Sequence, residues 1–553
     1  MKRRDFLKTG LKIGVAANAL PVMLAGLPVR ALGRSPLRSA LEASGGANNN
    51  VLVIIQLQGG NDGLNCVVPW DDSNYASLRK TLGLTLKASS NLNGTQPSDL
   101  FQLPAPNDSL AFHWGMRGFS QLFSENKIAL IQNVGYPAPS LSHFRGTDIW
   151  NSATDSTISA STGWIGRLLL EQNPGFPPQS IPAGSWPLAI QFGNSLSNLF
   201  LAQSGGMGIA LSSLPTKANS GGHNYDAIPQ NPTTQYQELQ YVRTIQEETE
   251  VYAQTIVSTT LKANKVPYPT STLATQLSQI AQLVASGAST KIYLVTQGSY
   301  DTHANELTNQ GSLLTDLAAA VLAFQQDIEQ LGVADQVAMM TYSEFGRRPA
   351  ENGSGTDHGT AAPHFFIGTQ VKGGVYGNDP ALDATTLKNA AVPGNLNYDP
   401  LHDFRNVYAT AMNEWLLAGG DQTQITKDIQ NVLTRDSVMT YSANSIWQSL
   451  GVFKSSQNYV GSSPDAVGLM LGTSYPNPAY GPTTVPYTLD VAGPVEIGIY
   501  NTSGVEMERI VDGWQSAGPQ RASFDASRLP SGAYLYRLTT SKGSVARPLV
   551  VEH

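Results

Sequence analysis

Along the chain, hydrophobic and polar positions fall into a repeating cycle: a short apolar run, a Gly-rich or polar loop, then a stretch with helical spacing. The clearest run is Val51 to Leu57, VLVIIQL, where six of seven residues are aliphatic and four are β-branched. Such a run suits a strand buried on both faces. Ile128 to Asn133, Leu188 to Phe192, Lys291 to Gln297 and Gln336 to Tyr342 are of the same kind. Apolar spacing predicts helices over Tyr75 to Leu84, Met116 to Glu125, Thr233 to Lys262, Ser271 to Ser286, Gly311 to Leu331 and Asp403 to Leu417. Pro139 and Ser140 would start another, with Ser142, His143 and Phe144 in its first turn. Strands alternating with helices predict an α/β domain, a mostly parallel sheet sandwiched by helices.

The tail has a different texture. From Thr473 onward come short alternating segments, YTLDV, VEIGIYN, ERIVDG, RASFDAS, GAYLYRLTT and ARPLVVE. Turn signals such as Thr502-Ser503-Gly504 and Pro530-Ser531-Gly532 separate them, which predicts a small all-β sandwich. The expected organisation is a leader and linker over 1–45, the α/β domain over 46–455, a Ser/Gly-rich linker over 456–472 and the sandwich over 473–553.

The leader changes the picture most. Lys2, Arg3, Arg4, Asp5, Phe6, Leu7 and Lys8 precede a modest apolar stretch. Paired Arg3-Arg4 in that setting reads as a twin-arginine export signal, so the translocase is an expected partner. That route carries folded proteins and suits one that loads a metal first. The expected destination is the periplasm, the cell surface or the medium, with no membrane-spanning segment. Net charge is −7, and the first 26 residues hold five bases against one acid, so the remainder is near −11. No basic excess is left to neutralise phosphates, which argues against nucleic acid. Cys66 is the single cysteine, so there is no internal disulfide.

Candidate chemistry gathers where strands end. Asp62, Asp301 with His303, Glu344, and Asp357 with His358 each follow an apolar strand or lie in a loop beside one. Ligands of open α/β sheets bind outside the carboxyl ends of the strands. Carboxylates and imidazoles without thiolates suit Zn, Mn, Mg or Ca, and this many donors could hold two ions about 4 Å apart. Ser142, at a helix start, resembles a nucleophile placement. Arg347 could steady an anionic group, and Glu344 could be a ligand or proton acceptor. Plainer readings stay open. Asp62 could cap its Gly-rich turn, and Glu344 with Arg347 and Arg348 could form a surface ion pair. His143 could mark a helix end, His364 could be packed in the core beside Phe365, and His402 could cap a helix. His113 and His223 lie in loops without a carboxylate neighbour.

VIIQLQGGNDGLN, VGYPAPSLSHFRGTDIW, YDTHANE, SEFGRRPAENGSGTDHG and DFRNVYATAMNEWL together resemble the exported family called domain of unknown function 1501, over roughly residues 48 to 450. That family resembles the alkaline phosphatase and sulfatase superfamily, whose members cleave phosphate or sulfate esters at a two-metal α/β site. The resemblance implies metal ligands at Asp62, Asp301, His303, Asp357 and His358, and a nucleophile at Ser142. His143, His364 and His402 compete for the last ligand position. The first acid–histidine pair is spaced D-x-H here, against D-x-x-x-H in the superfamily. No C-x-P-x-R or S-x-P-x-R surrounds Ser142, which argues against formylglycine sulfatase chemistry. The tail is similar to the C-terminal sorting domain of type IX secretion substrates, through Tyr475-Pro476-Asn477-Pro478, Ile499-Tyr500-Asn501 and Leu529-Pro530-Ser531-Gly532. The expectation is an exported metal-dependent hydrolase of phosphate-type, less so sulfate, esters. A non-catalytic metal- or ligand-binding surface protein on the same fold is the alternative.

Overall fold

Val51–Leu57 forms the expected strand with all seven residues buried. Its side chains alternate: Val51, Val53, Ile55 and Leu57 enter one core, Leu52 and Ile54 the other. Each such burial is worth about 1.5–3 kcal/mol, so two cores fix this strand and its register. The computed structural model describes residues 22–24, 27–30, 48–90, 96–174, 184–216, 249–434, 447, 449–454, 469–471, 474, 479–489, 492–501, 505–516, 518–540 and 543–552. The basic start of the leader, His223 and most of the 456–472 linker lie outside these residues, as do the Tyr475–Pro478 motif and the 502–504 turn.

In chain order the strands of the main sheet are β1 (Val22–Leu24), β2 (Leu27–Arg30), β3 (Val51–Leu57), β4 (Ile128–Val134), β5 (Ala189–Phe192), β6 (Ile209–Leu211), β7 (Ile292–Gln297), β8 (Val337–Tyr342), β9 (Ala362–Ile367) and β10 (Gly374–Tyr376). Their spatial order is β1-β2-β6-β5-β7-β3-β8-β9-β4-β10. The centre, β6-β5-β7-β3-β8, is parallel throughout. Antiparallel pairing enters at β9, which joins β8 to β4, and at the β1–β2 hairpin inside the expected leader and linker.

Helices cover both faces. On one lie α1 (Arg117–Ser124), α4 (Thr272–Ala285) and α5 (Glu306–Gln330). On the other lie α2 (His143–Ser152), α3 (Trp164–Gln172), α6 (Phe404–Thr410) and α7 (Gln422–Thr434). The predicted mostly parallel α/β sandwich is therefore what the chain forms. Several local expectations differ: the Tyr75-to-Leu84 helix is Ser73–Leu78, and the helix expected from Pro139 and Ser140 starts at His143, with Ser142 as its N-cap. Helix α5 begins at Glu306 rather than Gly311. The Asp403-to-Leu417 helix is α6 followed by a wider π-turn over Ala411–Leu416. The loop expected after β8 is a hairpin, Arg347–Glu351 paired with Thr356–His358. Of the long helix expected from Thr233, residues 249–258 are helical and those before 249 lie outside the described residues.

The chain divides into two compact units, Met1–Gln457 and Asn458–His553. The second has one three-stranded and one four-stranded sheet, antiparallel throughout. Val485, Tyr487 and Leu489 of one meet Ile497, Tyr536, Leu538 and Leu549 of the other in a core of their own. Among the described residues no helix is long and apolar enough to cross a membrane.

Candidate metal centre

Strands β3, β7 and β8 run parallel and side by side, so the loops that follow them leave the same edge of the sheet. Hydrogen bonds lace these loops together. Ser343 Oγ donates to the Leu57 carbonyl (2.7 Å) and accepts from the Asn61 amide (2.9 Å). Tyr300 N–H donates to the Gln58 carbonyl at 3.1 Å. Gly59 has φ +125°, and a Cβ there would lie 2.4 Å from the Asp301 nitrogen, so only glycine fits.

Arg347, with no exposed side-chain surface, binds the loops from within. It donates to the carbonyls of Gly60 (2.7 Å), Thr356 (2.8 Å), Gly59 (2.6 Å) and Tyr300 (3.0 Å), and to Asp301 Oδ1 (2.7 Å).

On this frame stand His143, Asp301 and His358, with one ligand atom from each lying within 4.8 Å of the others. Backbone and carboxylate partners preset the two imidazoles. His358 Nδ1 lies 2.7 Å from the Leu141 carbonyl, which can only accept, so Nδ1 carries a proton and, in the neutral ring, Nε2 the lone pair. His143 Nδ1 lies 3.0 Å from Glu344 Oε1, an oxygen that already accepts the Gly59 amide at 2.8 Å. In the neutral ring its Nε2 then also holds a lone pair, 3.4 Å from Asp301 Oδ2. Histidines that ligate metals are oriented in this way through the second ring nitrogen. His303 borders the same point: its Nε2 is 3.0 Å from His358 Nε2 and 3.1 Å from Asp301 Oδ1. Burial pushes the Asp301 carboxyl up, but the Arg347 guanidinium, as hydrogen-bond donor and as charge, together with the neighbouring imidazoles outweighs it and holds it down at about 2. The Phe345 ring lies 4.9 Å from that of His143 and 4.5 Å from that of His358, forming an apolar floor. Two preset lone pairs and an ionised carboxylate fit a divalent cation.

The structure places the other candidates as follows. Asp62 is buried and is not one of the cluster's ligands; both its oxygens are taken by Arg79, at 2.5 and 3.0 Å. It also caps the Gly63–Cys66 turn, the plainer of its two sequence readings. Burial raises its carboxyl and Arg79 more than reverses this, leaving it below the ordinary range. Asp357 is exposed, bonded to Asn352 at 2.9 Å, with His303 Nδ1 at 3.6 Å. Arg347 is fully buried, and each of its three nitrogens donates to a protein oxygen, so in this structure it ties the loops together. Glu344 bonds His143 rather than serving in the three-membered cluster, and its Oε2 is buried without a hydrogen-bond partner among the described residues. Ser142 is exposed and is the N-cap of α2, with no side-chain capping bond.

His143 is the third histidine brought to the cluster. His364 is buried, stacked on Trp150 at 4.9 Å and bonded to the Thr341 carbonyl. His402 is buried and bonded to the Gln132 carbonyl. Neither reaches the cluster. Arg79, Glu306, Thr302 and Thr356, which support these loops, were not singled out by sequence; the Glu306 carboxylate at a helix start was the available signal.

A family model described as "Protein of unknown function (DUF1501)" matches residues 224–433, and "Secretion system C-terminal sorting domain" matches 473–552. No curated protein sequence matches. Among solved structures, the chain is similar to a protein in the alkaline phosphatase superfamily from Vibrio parahaemolyticus. That alignment has 9% identity and a TM-score of 0.28, covering 73% of this chain and 78% of that one. It is similar to the lipoteichoic acid synthase LtaP from Listeria monocytogenes at 9% identity and TM-score 0.25, covering 62% and 72%. It is also similar to the PsFucS1 sulfatase from Pseudoalteromonas sp. at 11% identity and TM-score 0.25, covering 61% and 66%. Alignments this loose decide nothing about activity. Residues 224–433 thus match the model of the domain of unknown function 1501 family, and residues 473–552 that of a secretion sorting domain.

Proposed function

We propose that the chain is an exported, metal-dependent hydrolase of phosphate-type esters, less so of sulfate esters. One observation carries this reading: two preset imidazole nitrogens and one carboxylate converge where parallel strands end. His143, Asp301 and His358 would hold a divalent ion, with His303 beside them. Nitrogen and oxygen donors without thiolate favour zinc or manganese over calcium. When bound, such an ion polarises an ester oxygen and offsets charge developing there.

The remaining roles belong to the chain's own residues. Ser142 presents an uncapped hydroxyl at the N-terminus of a ten-residue helix, next to His143. Amide groups of that first turn favour an anion, so Ser142 Oγ is the proposed nucleophile. Glu344 fixes the His143 ring, and Arg347 fixes the loops. His303, half exposed, with Asp357 behind it, is placed to carry a proton at the rim. Phe144, 91% exposed one residue beyond His143, offers a substrate an apolar face. The sorting domain accounts for export to the cell surface or beyond, with the type IX machinery as partner; the twin-arginine translocase would serve the first membrane.

A second reading has its own support. With Arg347 turned inward, the cluster lacks that guanidinium for an anionic ester, as a non-catalytic metal-binding surface protein would. Purified full-length protein should be assayed for bound metal and against aryl phosphate monoesters, diesters and sulfates, with and without chelator. The hydrolase reading expects chelator-sensitive turnover that falls by about 100-fold or more in Ser142→Ala. Bound metal without turnover of any ester favours the second reading, and neither metal nor turnover rejects both.

A further inference from the structure

Beneath the cluster lies a second, fully buried set of charged groups: Asp62, Arg79 and Glu306, each with no exposed side-chain surface. Arg79 donates to Asp62 Oδ2 (2.5 Å) and Oδ1 (3.0 Å) and to the carbonyls of Pro349 (2.5 Å) and Arg348 (2.9 Å), and lies 3.6 Å from Glu306 Oε1. Gln310, one turn further along α5, donates to the Asp62 carbonyl at 2.7 Å. The loop after β3, the hairpin and the start of α5 thus meet on one triad.

Glu306 is the member that reaches the ligands. Its Oε2 accepts from Thr302 Oγ1 at 3.1 Å and from Thr356 Oγ1 at 2.5 Å. Thr302 stands between Asp301 and His303; Thr356 opens the strand that ends in His358. The same two segments share a backbone bond, Thr356 N–H to the Thr302 carbonyl (3.2 Å), and Glu306 N–H donates to the Ser354 carbonyl (2.9 Å). Gly355 completes the contact: a Cβ there would lie 2.3 Å from His303 backbone atoms, so the hairpin packs on the Asp301 loop without a spacer. Burial, then the neighbouring Asp62, push the Glu306 carboxyl well above the usual carboxylate range, which leaves Asp62 to balance Arg79. Burying ionic groups is costly, and apolar residues of similar volume often serve stability as well or better. A carboxyl bonded to hydroxyls on both ligand-bearing segments supplies what apolar packing lacks, a fixed spacing between them.

We propose that Glu306 is a positioning residue for the His143–Asp301–His358 cluster, setting the separation of Asp301 and His358 through Thr302 and Thr356, with Asp62 and Arg79 holding it in place. This rests on the metal reading above, and the experiment separates the two. Zn²⁺ affinity of the full chain is measured by competition with a chromophoric chelator, and Co²⁺ absorption reports the coordination geometry. Loss of a supporting partner of this kind lowers metal affinity by about 10–100-fold. Glu306→Ala is expected to weaken Zn²⁺ binding by that factor and to change the Co²⁺ spectrum. Glu306→Gln, which keeps an acceptor for both hydroxyls, should stay within about 3-fold of wild type by the same standard. If Glu306→Ala does not fold, Thr356→Val and Thr302→Val take its place with the same expected fall. Folded variants that bind Zn²⁺ like wild type, with an unchanged Co²⁺ spectrum, overturn the positioning role and leave the metal site standing. A wild-type chain that takes up neither ion overturns both.

Discussion

Single residues decide which acids can serve a metal here. Asp62 and Asp301 both follow apolar strands, yet Asp62 is sealed against Arg79 while Asp301 is half exposed and ringed by three histidines. Nothing near Asp62 in the sequence separates the two cases, because its partner arrives 17 residues later from another element. Asp301 also carries a pH signature. Its carboxyl is held at about 2 against an ordinary 3.8. A depressed group stabilises the fold at any pH above its unfolded value and loses that contribution as pH falls through the folded one. The stability difference between wild type and Asp301→Asn, from urea unfolding of the metal-free chain, should be flat above about pH 4 and shrink toward pH 2. A difference unchanged across that range would contradict the ion-pair geometry. Gly59 gives a second residue-scale expectation. With φ +125° and the Asp301 nitrogen 2.4 Å from where a Cβ would stand, Gly59→Ala should cost about 1–3 kcal/mol and displace Asp301. Its urea midpoint and Zn²⁺ affinity should both fall; a midpoint equal to wild type would refute the close approach.

At the scale of elements, the strands were legible because burial on two faces leaves a mark in composition. Val51–Leu57, Ile292–Gln297 and Val337–Tyr342 are apolar throughout or nearly so, and the sheet sets them side by side. The Arg347–Glu351 and Thr356–His358 hairpin left no such mark. Its strands are short and polar, and arginine–carbonyl bonds hold them to the rest, which no local periodicity encodes. The inward turn of Arg347 was hidden for the same reason: four of its five bonds go to backbone oxygens, whose positions depend on the fold. Helix α2 shows the intermediate case. Its existence was readable from the sequence, but it starts at His143 rather than at Pro139 and Ser140, and only folding brings Glu344 to His143 Nδ1. Removing that partner in Glu344→Ala should weaken Zn²⁺ binding by about 10–100-fold, read by chelator competition. An unchanged affinity would mean that the ring needs no external orientation.

For the whole molecule, the two units have separate cores, two between the helices and the faces of the main sheet and one inside the antiparallel sandwich. A chain ending at Gln457 should therefore keep the wild-type Zn²⁺ affinity while remaining in the periplasm, as cell fractionation would show; loss of metal binding would contradict the separation. The most direct measurement is metal content after equilibration with Zn²⁺ and gel filtration. Wild type should retain about one ion per chain, and His143→Ala and His358→Ala close to none. Full retention in both variants, or none in wild type, would contradict the assignment of His143, Asp301 and His358 as the metal centre.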